Sequence, residues 1–245
     1  MEFFLFVLIA FILSVLFSMA GAGSGIALIP ILHFFGIDFT LAKAVGLFSG
    51  FSTTVTSTLL NIRRKAVDLK VTLPLAVTLL IFAPIGAQLS RFTNPIVVKY
   101  FFIIFLIFSA TMMLFFKKEA KVCYDKPWVL GLLGSTVGLL AGFLGVGGGN
   151  ILMPLLILLG FEPKKVAVAV SSVIPFSAFT SFLSYASFVQ IDWSLLGACA
   201  LGSIVGATVG NHILHFKLSQ KQIKKIIAII LYMLAVKMTY SIIMS

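Results

Sequence analysis

The sequence predicts an all-α polytopic membrane protein, built from two repeats of four to five helical segments each. The repeats are inverted relative to one another and carry Gly-rich helix breaks. Three observations lead there. Of the 245 residues, 60% are hydrophobic and 10% charged, at a mean hydropathy of +1.17; an ordinary soluble domain carries about 25% charged residues. Apolar runs such as 71–90 and 96–116 have the roughly 20 residues that a helix needs to cross a hydrocarbon core of about 30 Å. Finally, the phrase GAGSGIALIP at 21–30 returns as GVGGGNILMP at 145–154.

The second phrase belongs to a longer correspondence. An offset of 124 positions superimposes Pro30 on Pro154, Gly36 on Gly160 and Asp38 on Glu162, then Thr56 on Thr180, Ser57 on Ser181 and Asp68 on Asp192, without a gap. The register then slips, though PIGAQ at 84–88 still corresponds to IVGAT at 204–208. Each half reads as five segments: 3–20, 26–35, 41–60, 71–90 and 96–116, then 128–144, 151–160, 166–188, 194–211 and 221–242. The division expected is a first repeat at 1–116, a cytoplasmic linker at 117–127 and a second repeat at 128–245. The short segment after each glycine phrase covers about 15 Å, half the hydrocarbon core. Residues 1–20 lack the basic start of a signal peptide.

Loop charge orients the halves. The net charge is +11, from 18 Lys and Arg against 7 Asp and Glu, and the bases sit in short loops between apolar runs. That placement suits membrane orientation and headgroup contact, not nucleic-acid binding. With parallel repeats the bases would divide equally between the two sides. If each glycine phrase is instead the tip of a hairpin returning to its own side, one side collects fourteen: Arg63, Arg64, Lys65, Lys70, Lys117, Lys118, Lys121, Lys126, Lys164, Lys165, Lys217, Lys221, Lys224 and Lys225. Four remain opposite: Lys43, Arg91, Lys99 and Lys237. The positive-inside rule selects the inverted arrangement, with both chain ends outside a prokaryotic cell (inner) membrane. The cysteines, Cys123 and Cys199, have no metal-ligand or CxxC spacing, so neither a metal site nor a disulfide framework is expected.

Few residues in the spans can do chemistry. Gly202, Gly206 and Gly210, and likewise Gly134, Gly138 and Gly142, have the four-residue spacing of close helix packing. The phrases differ, because Gly147, Gly148 and Gly149 in succession break a helix, and Gly23, Ser24 and Gly25 occupy the matching place. Backbone N–H groups freed by a break must face protein or a water-filled cavity. Together with the positive end of the following helix, capped by Ser24 or Asn150, they form an anion site. The next helix in each half carries hydroxyls on one face: Ser49, Ser52, Thr53, Thr56 and Ser57 in the first, Ser177, Thr180, Ser181 and Ser184 in the second. These either line a polar path or bond back to their own helix. Lys43 either snorkels outward or attracts an anion at an entrance, and His33 is a packing residue before it is a proton relay. Asp68 and Asp192 are expected to cap helices. No cofactor, metal cluster, nucleophile–base pair or acid pair is visible, which excludes most enzymes.

The two phrases with their prolines, the stretches GIDFTLAKAVG and GFEPKKVAVAVSS, and above all GLLAGFLGVGGGNILMPLLILLGFEPKKVAVAVSS resemble the sulfite exporter TauE/SafE family over nearly the whole chain. The resemblance implies an integral membrane protein of about eight helices, acting as a permease for sulfite, sulfoacetate or related sulfur-containing or organic anions. The first phrase departs from the second in having Ser24 for Gly148 and Ile26 for Asn150. The reading is a secondary transporter exporting a small anionic substrate, one repeat rocking on the other within the lipid bilayer. An ion-coupled importer is the alternative within transport, and a membrane scaffold or thiol electron carrier the alternative outside it. A homo-oligomer is left open.

Overall fold

The structure, a computed structural model, describes residues 2–63, 68–115, 126–213 and 220–243. They form ten helices and no strand: α1 (Glu2–Met19), α2 (Gly25–Phe34), α3 (Phe39–Arg63), α4 (Leu69–Phe92), α5 (Pro95–Phe115), α6 (Pro127–Leu144), α7 (Gly149–Leu158), α8 (Pro163–Ala186), α9 (Trp193–Ile213) and α10 (Gln220–Ile243). Each predicted segment is a helix, with its ends moved by at most three residues. Most of the linker expected at 117–127, with Cys123, lies outside the described residues, as do Arg64, Lys65, Lys117, Lys118, Lys121 and Lys217.

Six helices, α4, α5, α6, α8, α9 and α10, are long and apolar enough to cross a membrane. Their outward faces carry large apolar side chains such as Ile81, Ile104, Leu132 and Val236, which makes this a multi-pass integral membrane protein. With 25 residues, α3 has the length too, but its hydroxyls and Lys43 lower its hydropathy. It is buried among apolar neighbours along much of its length.

The helix ends follow local chemistry. Asp38 Oδ1 accepts from the N–H groups of Thr40 (2.8 Å) and Leu41 (3.1 Å). Asp68 Oδ1 accepts from Lys70 (3.0 Å), and Asp192 Oδ1 from Ser194 (2.9 Å) and Leu195 (3.1 Å), as expected of caps. At its C-terminus α6 ends on Gly145, whose φ of 77° suits glycine and whose N–H donates to the Ala141 carbonyl at 2.9 Å.

Helices α1 and α2 fold back on each other. Phe6 of α1 stacks edge-on against Phe35 (5.8 Å), just past α2, while Ser14 meets Ser24 at the start of α2. Helices α6 and α7 do the same, with Gly148 against Val137 and Ala141. The glycine phrase is therefore the tip of a hairpin in each case.

The main interfaces cross between the halves of the chain. Gly202, Gly206 and Gly210 of α9 lie in turn against Val7, Phe11 and Val15 of α1, so these two helices run parallel. Gly134, Gly138 and Gly142 of α6 meet Leu75, Leu79 and Ala83 of α4 in the same manner. Glycine lets the backbones approach as the spacing implies: a Cβ on Gly206 would lie 3.0 Å from Ser14 Cβ. Between these pairs α3 and α8 run antiparallel, Phe48 meeting Phe182 (4.9 Å), Phe51 meeting Phe179 (5.0 Å) and Thr58 Oγ1 donating to the Ser171 carbonyl (2.7 Å).

Candidate functional site

Each hairpin tip is a short run of buried backbone with little to bond to. At the first, the Ala22 N–H donates to the Phe17 carbonyl (3.0 Å), and bonding resumes where Ala27 and Leu28 donate to Ser24 (3.2 Å each). At the second, Val146 donates to Ala141 (3.0 Å), and Ile151 and Leu152 donate to Gly148 (3.1 and 3.0 Å). Between these points, the N–H groups of Gly23, Ser24, Gly25 and Ile26, and of Gly147, Gly148, Gly149 and Asn150, have no protein acceptor among the described residues. All eight residues are buried. Buried N–H groups are almost always paired, and here they coincide with the positive ends of α2 and α7, each ten residues long.

Neither capping oxygen expected from the sequence caps. Ser24 stands at the N-cap of α2 without a side-chain cap bond. Its hydroxyl is taken up in a ring with Ser14 (2.9 Å) and Thr53 (3.0 Å), whose own hydroxyls lie 3.1 Å apart. Thr53 Oγ1 then donates to the Ser49 carbonyl at 2.9 Å. At the N-cap of α7 stands Gly148, left-handed at φ 78°, while Asn150 falls within the helix and its buried Oδ1 has no partner.

The offset of 124 residues relates the two tips contact by contact. Gly21 lies against Ala167 as Gly145 lies against Lys43, and Gly23 lies against Gly50 as Gly147 lies against Ile174. Ser177, which corresponds to Thr53, donates to the Gly147 carbonyl at 3.0 Å. The hydroxyl ring has no counterpart, because Gly138 and Gly148 stand where Ser14 and Ser24 do. The first tip is thus lined by hydroxyls, whereas the second is lined by backbone, Asn150 and apolar walls from Leu79, Val137 and Ala141.

The predicted site residues divide accordingly. Gly23, Ser24, Gly25 and Thr53 meet at the first tip; Gly147, Gly148, Gly149, Asn150 and Ser177 meet at the second. Ser52, Thr56 and Thr180 instead donate to carbonyls four residues back (2.9 Å each) and face their own helices. Ser181 is buried, its hydroxyl unpartnered. His33 is a packing residue: its Nδ1–H donates to the Ile37 carbonyl (3.0 Å) and its ring meets Phe39 edge-on. Lys43 does not snorkel. It is 2% exposed, with its ammonium 2.7 Å from Ser90 Oγ and beneath the Tyr185 ring.

The sequence profile described as "Sulfite exporter TauE/SafE" matches residues 6–238, both tips included. The chain belongs to the sulfite exporter TauE/SafE family. The chain is also similar to proteins named as probable membrane transporters. A probable membrane transporter protein of Bacillus subtilis (strain 168), YunE, is 29% identical over 273 residues, covering 98% of each chain. One of Methanocaldococcus jannaschii is 32% identical over 74% of this chain and 71% of its own. One of Haemophilus influenzae is 26% identical over 95% and 92%. As a TauE/SafE protein the chain is a membrane transporter.

Three residues at these sites escaped the sequence reading: Ser14, Ser90 and Tyr185. Tyr185 Oη donates to the Gly142 and Phe143 carbonyls (3.1 Å each), tying α8 to the end of α6. None of the three lies in a phrase with a signal of its own.

Proposed function

We propose that this transporter is a secondary permease for small oxyanions or sulfonates, with sulfite and related sulfur anions foremost, and that it moves them outward. The observation that carries the reading is the pair of buried N–H runs at the starts of α2 and α7. Such groups, held in place before the ligand arrives, replace part of an anion's hydration shell. Outward movement needs no chemical energy source, since an inside-negative potential favours anion exit by about 2.3 kcal/mol per charge per 100 mV. The test is a flux assay in proteoliposomes with sulfite, thiosulfate, sulfoacetate, taurine and small carboxylates. Saturable flux of an anion that persists with proton and sodium gradients collapsed is the expected result. Flux that requires either gradient would replace export with coupled import, and no flux for any anion would sink the reading.

The same proposal treats 1–116 and 128–245 as inverted repeats around a cytoplasmic linker. The antiparallel course of α3 and α8, equivalent by the offset, supports it. In a chain carrying Cys123→Ser and Cys199→Ala, cysteines placed at Asn94 and Asp192 should react with an impermeant maleimide from outside. Cysteines at Asp68 and Lys126 should react only after permeabilisation. If positions 94 and 192 label from opposite sides, the topology is wrong. The packing disfavours one whole repeat rocking on the other, because that motion would separate α1 from α9 and α4 from α6. We propose instead that the moving bodies mix the halves, α1, α2 and α9 against α4, α6 and α7.

A further inference from the structure

One of the four cations left on the sparsely charged side is the charge of Lys43, buried in a helix that packs inside the bundle. An ammonium has three donors, and among the described residues this one has a single hydrogen-bond acceptor, Ser90 Oγ at 2.7 Å. The rings of Phe39 (5.3 Å) and Tyr185 (4.8 Å) flank it. The Asp38 carboxylate caps α3, and among the described residues no carboxylate pairs with Lys43. A charge buried this way is costly unless something pairs with it.

Its surroundings continue the pattern outward. The Lys99 ammonium lies over the same Phe39 ring at 5.7 Å. The Arg91 guanidinium lies 5.5 Å from the Phe188 ring, which in turn meets Tyr185 at 5.3 Å. Arg91 is exposed, Lys99 half-buried and Lys43 buried, a graded series bound together by aromatic rings. Its inner end abuts the second hairpin: a Cβ on Gly145 would lie 2.8 Å from Lys43 Cβ. At the first tip the offset puts Ala167 in place of Lys43 and Asn61 in place of Tyr185. Among the described residues, the buried cation with its tyrosine cover exists at one tip only.

We infer that Arg91, Lys99 and Lys43 form an anion mouth leading to the second tip, and that Lys43 is the counter-charge with which the transported anion pairs on passing through it. The inference rests on the permease reading. It gives a structure with two related tips one electrically distinct end: the exposed charges draw the anion in or receive it, and the buried one selects for charge. A neutral solute of similar size gains nothing from pairing there.

The test uses full-length protein in proteoliposomes and whichever anion of the panel above gives saturable wild-type flux. Lys43→Met keeps an unbranched apolar stem under Phe39 and Tyr185 but removes the charge; it should raise the apparent KM about tenfold or more and change the maximal rate little. Lys43→Arg should restore the KM to within about threefold. A purely structural lysine would instead lower thermal stability in both variants and leave the KM of the folded fraction unchanged, which overturns the inference. Should Lys43→Met fail to fold, the Arg91→Gln/Lys99→Gln pair decides. It should raise the KM about threefold at low ionic strength, with the effect fading as salt screens the exposed charges. A pair whose KM equals that of the wild type at low salt overturns the mouth. Absence of wild-type flux for every anion sinks the permease reading and this inference with it, whereas wild-type flux with an unaltered Lys43→Met KM sinks this inference alone.

Discussion

Gly148→Leu is expected to abolish any rise in melting temperature that an anion gives the wild-type protein. A ligand that binds only the folded state stabilises it by about 2.7 kcal/mol at a hundred times its dissociation constant, enough to move the melting point by a few degrees. Leucine at 148 acts on the second tip in two ways. The left-handed backbone there, φ 78°, costs a side-chain-bearing residue roughly 1–2 kcal/mol. Its Cβ would also lie 3.1 Å from Ala141 Cβ and 3.3 Å from Val137 Cγ1, so the rest of the side chain is driven among the N–H groups of Gly147 to Asn150. The measurement is a thermal-shift titration with sulfite, thiosulfate and sulfoacetate, with gel filtration as the check on folding. A folded Gly148→Leu protein that still shifts with the wild-type dissociation constant would remove the second tip as a ligand site.

Gly142→Val is expected to cost the most stability of any single change considered. A Cβ at 142 would run into the Ala83 carbonyl and lie 3.0 Å from the Ala87 amide nitrogen, so the obstruction is backbone, which cannot swing aside as a side chain can. Helices α4 and α6 would have to separate, with a loss of about 2–3 kcal/mol or of folded protein altogether. Gly197→Ala is the matched control, because nothing lies within 4 Å of a Cβ there; in a helix it should be neutral or stabilise by up to about 1 kcal/mol. Detergent-solubilised yield and melting temperature compare the two. Equal behaviour would mean that the close approach of α4 and α6 does not hold the fold together.

Where the controlling interaction is local, the sequence was informative. The helix segments, the breaks at the glycine phrases, the caps at Asp68 and Asp192 and the packing faces at Gly134 and Gly202 all follow from residues within a few turns of one another. The site was less legible because its partners are distant. Ser24 has the chemistry of a cap, but Ser14 and Thr53 take its hydroxyl, and only the folded hairpin brings them within 3 Å. Lys43, one turn into its helix, gives no sign of whether it rises to water or stays covered. The cover comes from Tyr185, 142 positions along the chain, placed by α8. Thr53 and Thr56 carry identical side chains three residues apart and both bond back to their own helix, yet only Thr53 also reaches the tip.

The pairing of α1 with α9 sets an order of events during synthesis. Translation at about 5–20 residues per second leaves roughly 9–35 seconds between the emergence of Met19 and that of Trp193. Through that interval α1 lacks its main neighbour, and the stripe of Val7, Phe11 and Ser14 that will receive the α9 glycines is met by lipid or by the translocation machinery. For α4 the wait for α6 is much shorter. A nascent chain halted after α5 therefore has two helices whose glycine-lined partners have not been made, and the one that waits longer, open to mispairing throughout, is α1.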